Sequence, residues 1–155
     1  SLALAHGARL AARRLGVEAR AVVIDHGLQD GSAAHADAVA ARPADEPLLD
    51  MVENALLDLA RQPLSDEMKA VAVLIHATPS LMAGDQAKYA QVERLLAEAL
   101  AKRKGLAPDD IACRVVAGAA VSILKLSVDA WLAQPDAPPE TFGRAAFAAL
   151  RQAAG

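Results

Sequence analysis

Four histidines, one cysteine and two serines on an apolar helix are the residues of this 155-residue chain whose types could do chemistry. His6, His26, His35 and His76 fall in four separate settings. None stands at His-x3-His spacing or at a ligand spacing from the single Cys113. A zinc site needs several such ligands converging, so neither a metal nor a cofactor is expected. Asp25-His26 follows the β-branched run Val22-Val23-Ile24. The end of a strand is where open α/β folds place ligands, and an ordinary strand-end turn explains the same pair. Cys113 has only Arg114 as a basic neighbour and reads as a buried structural thiol rather than a nucleophile. Ser122 and Ser127 lack the G-x-S-x-G frame of a nucleophile elbow. They can bond back to a helix carbonyl or offer polar contacts to a ligand. Trp131 reads as core or interface. Gly27 and Gly31 are spaced wrongly for a phosphate-cradling loop. Lys102-Arg103-Lys104 closes a helix, where the dipole favours cations. These residues argue against an enzyme more than for one.

The elements that would position them are mostly helices. The chain centres on Asp109 to Gln134, enough for about seven turns at 3.6 residues per turn. Between Ile111 and Leu132 its only charges are Arg114, Lys125 and Asp129. One apolar stripe runs Val121, Leu124, Val128, Leu132; a second runs Val116, Ala119, Ile123, Leu126, Ala130. A helix apolar on two faces needs neighbours on both sides, and a second subunit is a source for one of them. In chain order, 1–15 reads as a helix, 19–25 as a strand, and 33–42 as a short helix capped by Ser32. The prolines of Arg42-Pro43-Ala44-Asp45-Glu46-Pro47 then mark a boundary. That division gives 1–42 as an α/β fragment and 43–155 as a helical domain able to fold without it. After the boundary come helices at about 47–61, 65–77, 79–104, 109–133 and 140–153. Ser65 and Thr78 are candidate caps, and Gly105 is a stop.

Composition bounds the function. A chain of this length has room for one proper core. Alanine dominates its apolar fraction, so helices can pack closely. The net charge of −3 lacks the basic face of a free-standing nucleic-acid binder. A single cysteine suits a reducing, cytoplasmic setting. No uninterrupted apolar run reaches the roughly 18 residues of a membrane span, so no membrane partner is expected. The chain opens on Ser1 inside an amphipathic pattern, as a piece of something longer would. Met68, Ile75, Tyr89, Leu96, Ile123 and Trp131 could line an apolar cavity between helices or fill a solid core.

Two family resemblances enter at this point. HATPSL (His76 to Leu81), KYAQVERLLAEALAKRKGLAPDDIACRVVAGAAVSILKLSVDAWLAQ (Lys88 to Gln134) and AAFAAL (Ala145 to Leu150) resemble the C-terminal region of TetR-family transcriptional regulators. That resemblance covers 43–155 and implies a mainly α fold, a TetR-like helical bundle behind a short helix-strand-helix segment. It implies a module that binds an effector, an apolar or acyl-type small molecule, and forms a homodimer. The helices at about 109–133 and 140–153 would pair with their twofold mates. On that mapping Val121, Leu124, Val128, Leu132, Phe142 and Phe147 form the dimer interface. Met68, Ala72, Ile75, Tyr89, Val92, Leu96, Ile123, Ser127 and Trp131 line the ligand pocket. The family reads DNA through an N-terminal helix-turn-helix, which residues 1–42 do not resemble; DNA contact would need that missing domain.

Residues 1–42 instead resemble part of a tRNA(Ile)-lysidine synthetase, an ATP-pyrophosphatase of the PP-loop type. SLALAHGARLAARRLG is similar to the helix after its phosphate loop, and VVIDHGLQDGSAAHADAVA to its second strand and D-H-G-L motif. The resemblance implies Asp25 and His26 as nucleotide-binding residues of an ATP-dependent tRNA-modifying ligase. The S-G-G-x-D-S loop that would hold the phosphates is absent. A gene fusion, a fragment and an assembled or designed sequence all fit such a join.

Overall fold

The computed structural model describes residues 28–62 and 65–155, with the side chains of 28–32, 68, 83 and 85 left aside. The helix expected at 1–15, the strand at 19–25, and the pair Asp25-His26 lie outside the described residues. Within them the chain is helical, with no strand: α1 (Leu28–Ala40), α2 (Leu48–Ala60), α3 (Asp66–Ala77), α4 (Pro79–Lys104), α5 (Ile111–Ala133) and α6 (Pro139–Ala154). The mainly α bundle expected from the sequence is the fold observed.

Local chemistry explains the boundaries. Pro79 and Pro139 each stand in the first turn of a helix, where a missing N–H costs no hydrogen bond. Gly105 closes α4 at φ 66°, a left-handed conformation that lets the Gly105 and Leu106 amides turn back onto the last carbonyls. The carboxylate of Asp110 accepts from the Cys113 amide at 3.0 Å and starts α5 there, two residues later than the 109 expected. The short helix expected at 33–42 runs instead from Leu28 to Ala40, so Ser32 lies inside it rather than capping it. Pro43 disfavours helix at Arg42 and sets the other end.

Packing is a layered bundle. α1 lies on α4 and α2, α4 on α5, and α5 on α6, while α2 closes against α5 and α6. α3 packs mainly on α4. The core follows helical spacing: Val92, Leu96 and Leu100 of α4, Met51, Val52 and Leu56 of α2 and the small residues Ala117 and Ala120 of α5 belong to one buried cluster. Phe147 of α6 and Val39 of α1 are both fully buried in that cluster. Residues on both sides of Arg42-Pro43 therefore share one core.

The α1–α2 loop is held by charge. The Arg42 guanidinium donates twice to Glu46, at 2.8 and 2.9 Å, and Asn54 donates to the same carboxylate at 2.6 Å. These bonds, that from Arg42 foremost, hold the Glu46 carboxyl below the usual carboxylate range. From the end of α4, Arg103 donates to the Arg42 carbonyl at 2.5 Å and Lys104 to the Ala44 carbonyl at 2.8 Å. The basic run thus ties a loop as well as facing the helix dipole. At the other side of the bundle Arg151 of α6 bridges Asp50 and Glu53 of α2.

Candidate functional site

α5 is the element to build from, because it has three kinds of face. Cys113, Ala117, Ala120, Val121 and Ile123 turn into the core. A second face, with Lys125, Val128, Asp129 and Leu132, borders a cleft of about 350 Å³ between α3, α4 and α5. A third is bare: Ile111, Val115 and Leu126 are 69%, 63% and 62% exposed. Spacings of four and eleven residues put these three on one side of the helix, with Ser122 between them.

The cleft has an apolar floor and a polar rim. Ala72 and Ile75 of α3, Met82 of α4, and Val128 and Leu132 of α5 supply the apolar surface. On the rim, Lys125 Nζ donates to Gln86 Oε1 at 2.9 Å and sits 4.9 Å above the centre of the Tyr89 ring. One turn along, His76 Nδ1 of α3 approaches Asp129 Oδ1 to 3.6 Å. Few apolar residues with a handful of convergent polar groups are what small-molecule sites are made of. Two other grooves are lined by charges of both signs. One, of about 390 Å³, lies between α1 and α4 with Asp37, Glu98, Lys102 and Arg103; the other, of about 310 Å³, lies between α4 and the head of α5.

The expected ligand residues divide. Ala72, Ile75 and Tyr89 meet at the cleft. Val92, Leu96 and Ile123 are buried in the solid core, where neighbouring helices already fill the space around them. Trp131 is buried as well and does not line the cleft. The Ser127 hydroxyl donates back to the Ile123 carbonyl at 2.7 Å, on the side of α5 that faces Gly143 of α6. Met68 stands on α3, and its side chain is not among those described.

The expected interface residues divide too. Val128 and Leu132 line the cleft. Val121 and Phe147 lie inside the chain's own core and have almost no exposed surface. Leu124 and Phe142 are half-buried. The most exposed large apolar side chains among the described residues are instead Ile111, Val115 and Leu126 of α5, followed by Val73 and Leu74 of α3. Leu126 belonged to the second stripe of the sequence. Ile111 and Val115 stand four residues apart with Ser122 seven further on, one helical side that is legible along the chain.

With this geometry in place, the comparison with known families is decisive. Residues 46–154 match the family model described as the MftR C-terminal domain, a TetR C-terminal domain. The chain belongs to the TetR family. No curated protein matches it. The match takes in α2 to α6 and leaves α1 outside, although α1 contributes Val39 to the core. TetR C-terminal domains in general dimerise and bind small-molecule effectors.

One apolar stretch departs from the sequence expectation. Ile111–Ala133 is, by length and composition, long and apolar enough to cross a membrane, with a mean hydropathy of 1.8. Counting uninterrupted apolar residues missed this, because Arg114 and Lys125 break the run without lowering its average much. The helix packs on α4, α6 and α2, and 28% of that apolar window is buried.

Proposed function

We propose that this chain is the effector-binding and dimerisation module of a TetR-family regulator acting in the cytoplasm. The observation that carries the reading is the double role of α5. One face borders the cleft through Val128 and Leu132, and a neighbouring face leaves Ile111, Val115 and Leu126 exposed. An apolar small molecule, of acyl type on the family resemblance, fits the cleft. A second copy of the chain, packed through α5 and α6, covers the bare stripe and forms the homodimer. Burial of exposed apolar surface drives that association. A ligand contacting α5 from the cleft biases the helix that meets the partner, so occupancy and dimer geometry are thermodynamically linked. DNA is contacted through a separate reader in such regulators, and residues 46–154 do not take that part.

Analytical ultracentrifugation combined with native mass spectrometry tests this. The expected species is a dimer that carries or accepts an apolar small molecule. Leu126→Glu is expected to give monomers with an unchanged helical spectrum. A wild-type chain that stays monomeric at tens of micromolar overturns the dimer reading; a dimer indifferent to Leu126→Glu and Val115→Glu overturns the assigned face.

A further inference from the structure

We propose that the cleft selects an amphipathic carboxylate, with its anionic head at Lys125 and its hydrocarbon chain along Ile75, Val128 and Leu132. The inference rests on the reading of this cleft as the effector site and adds the chemical class of the effector.

The argument starts from the charge on the rim. The Lys125 ammonium has three donors. One goes to the amide oxygen of Gln86, and the group lies over the electron-rich face of Tyr89. Both partners are neutral, so they orient the ammonium without cancelling its charge. Among the described residues no carboxylate pairs with Lys125. Asp129, one turn further along α5, faces His76 instead. The two charges on α5 thus lie toward different helices: Asp129 stands 3.6 Å from His76 of α3, and Lys125 is held toward α4 with donor capacity left over. A carboxylate at the α4 side of the rim would complete the ammonium with a charge-assisted hydrogen bond, which is stronger than a neutral one. The amide nitrogen of Gln86, on the same side chain, offers that carboxylate a second donor.

The floor sets the rest of the molecule. Ala72, Ile75, Met82, Val128 and Leu132 present no hydrogen-bonding group to a ligand. A ligand polar along its whole length would lose its hydration there without compensation. A cleft of about 350 Å³ stands at the small end of ligand pockets, which favours a medium-length chain over a long one. One charged end and one apolar end in a small volume describe a medium-chain carboxylic acid. The matching neutral alcohol has the same tail and no charge, and is the control that isolates the head.

The test is isothermal titration of the full chain with octanoate and with octan-1-ol, on wild type, Lys125→Met, Lys125→Arg and Val128→Glu, each checked for native helical content. Octanoate is expected to bind roughly tenfold tighter than octan-1-ol, about the effect of one charge-assisted bond. Lys125→Met removes that preference by weakening octanoate alone, Lys125→Arg retains it, and Val128→Glu abolishes binding of both. Equal affinities that Lys125→Met leaves unchanged overturn the head assignment while the cleft stands as an apolar site. Binding of neither probe, or binding that survives Val128→Glu, overturns the cleft as the effector site and this inference with it.

Discussion

Val39 is the sharpest place to perturb the fold, because it comes from outside the family-matched residues and yet is fully buried among them. Val39→Ala deletes two methyl-sized groups from that core. At about 0.8 kcal/mol for each, the transfer loss is roughly 1.6 kcal/mol. A partly unrelaxed cavity raises the total to about 2–3 kcal/mol. For a chain of this size that corresponds to a fall in Tm of about 4–12 °C. Urea denaturation followed both by far-ultraviolet circular dichroism and by Trp131 fluorescence measures it. Asp37→Ala, an exposed change on the same helix, is the control and is expected to shift stability by less than about 0.5 kcal/mol. The two probes should report one transition, since α1 and the rest of the bundle share a core. A Val39→Ala effect as small as the control's refutes the reasoning. So does an early loss of helix signal with Trp131 untouched, which would make Arg42-Pro43 a folding boundary after all.

Other outcomes follow from single sites. Asp110→Ala removes the cap of α5 and should cost about 1 kcal/mol in the same denaturation assay, more than Asp109→Ala beside it. Cys113 is buried, and burial followed by its contact with Asp110 pushes the thiol up from its ordinary value; a thiol reagent at pH 8 should label it only as fast as the protein unfolds, and rapid labelling of native protein would contradict its placement. Glu46 is held below its usual range by Arg42, so its contribution to stability is present above the unfolded carboxyl's pKa of about 4.3 and is lost as pH falls through the lower folded value. Glu46→Gln should accordingly lose stability at pH 7 and show a shallower acid decline than wild type in thermal melts between pH 7 and pH 3.

Much of this architecture is legible in the amino acids because its cues are local. Pro79, Gly105 and the Pro138-Pro139 pair act within one turn of their own position, and the helices stop and start beside them. The 3.6-residue periodicity of Val92, Leu96 and Leu100 is likewise a property of one helix. What that periodicity leaves open is which neighbour covers which side. α5 is apolar nearly all round, so Val121 and Leu126 look alike along the chain although one lies in the core and the other in solvent. The same ambiguity joined the cleft residues Val128 and Leu132 to the core residues Val121 and Phe147 in one expected interface. The cleft itself was only half visible. Ile75 and Tyr89 were singled out as large apolar or aromatic residues. The meeting of Lys125, Gln86 and His76 is not legible along the chain, because it depends on three helices crossing at one place.

The Arg151 bridge to Asp50 and Glu53 has a kinetic side. It joins residues 101 and 98 positions apart, whereas α4 and α5 are neighbours across the short segment after Gly105. Closing a loop of about 100 residues costs roughly 2.5 kcal/mol more chain entropy than closing one of about six. Contacts of such different separation are not made together: the α4–α5–α6 succession can assemble by local encounters, while α2 must find α6 across most of the matched region. A seam of such separation is expected to close late, so weakening the Arg151 contact should speed unfolding more than it slows folding, as stopped-flow rates of Arg151→Ala would show.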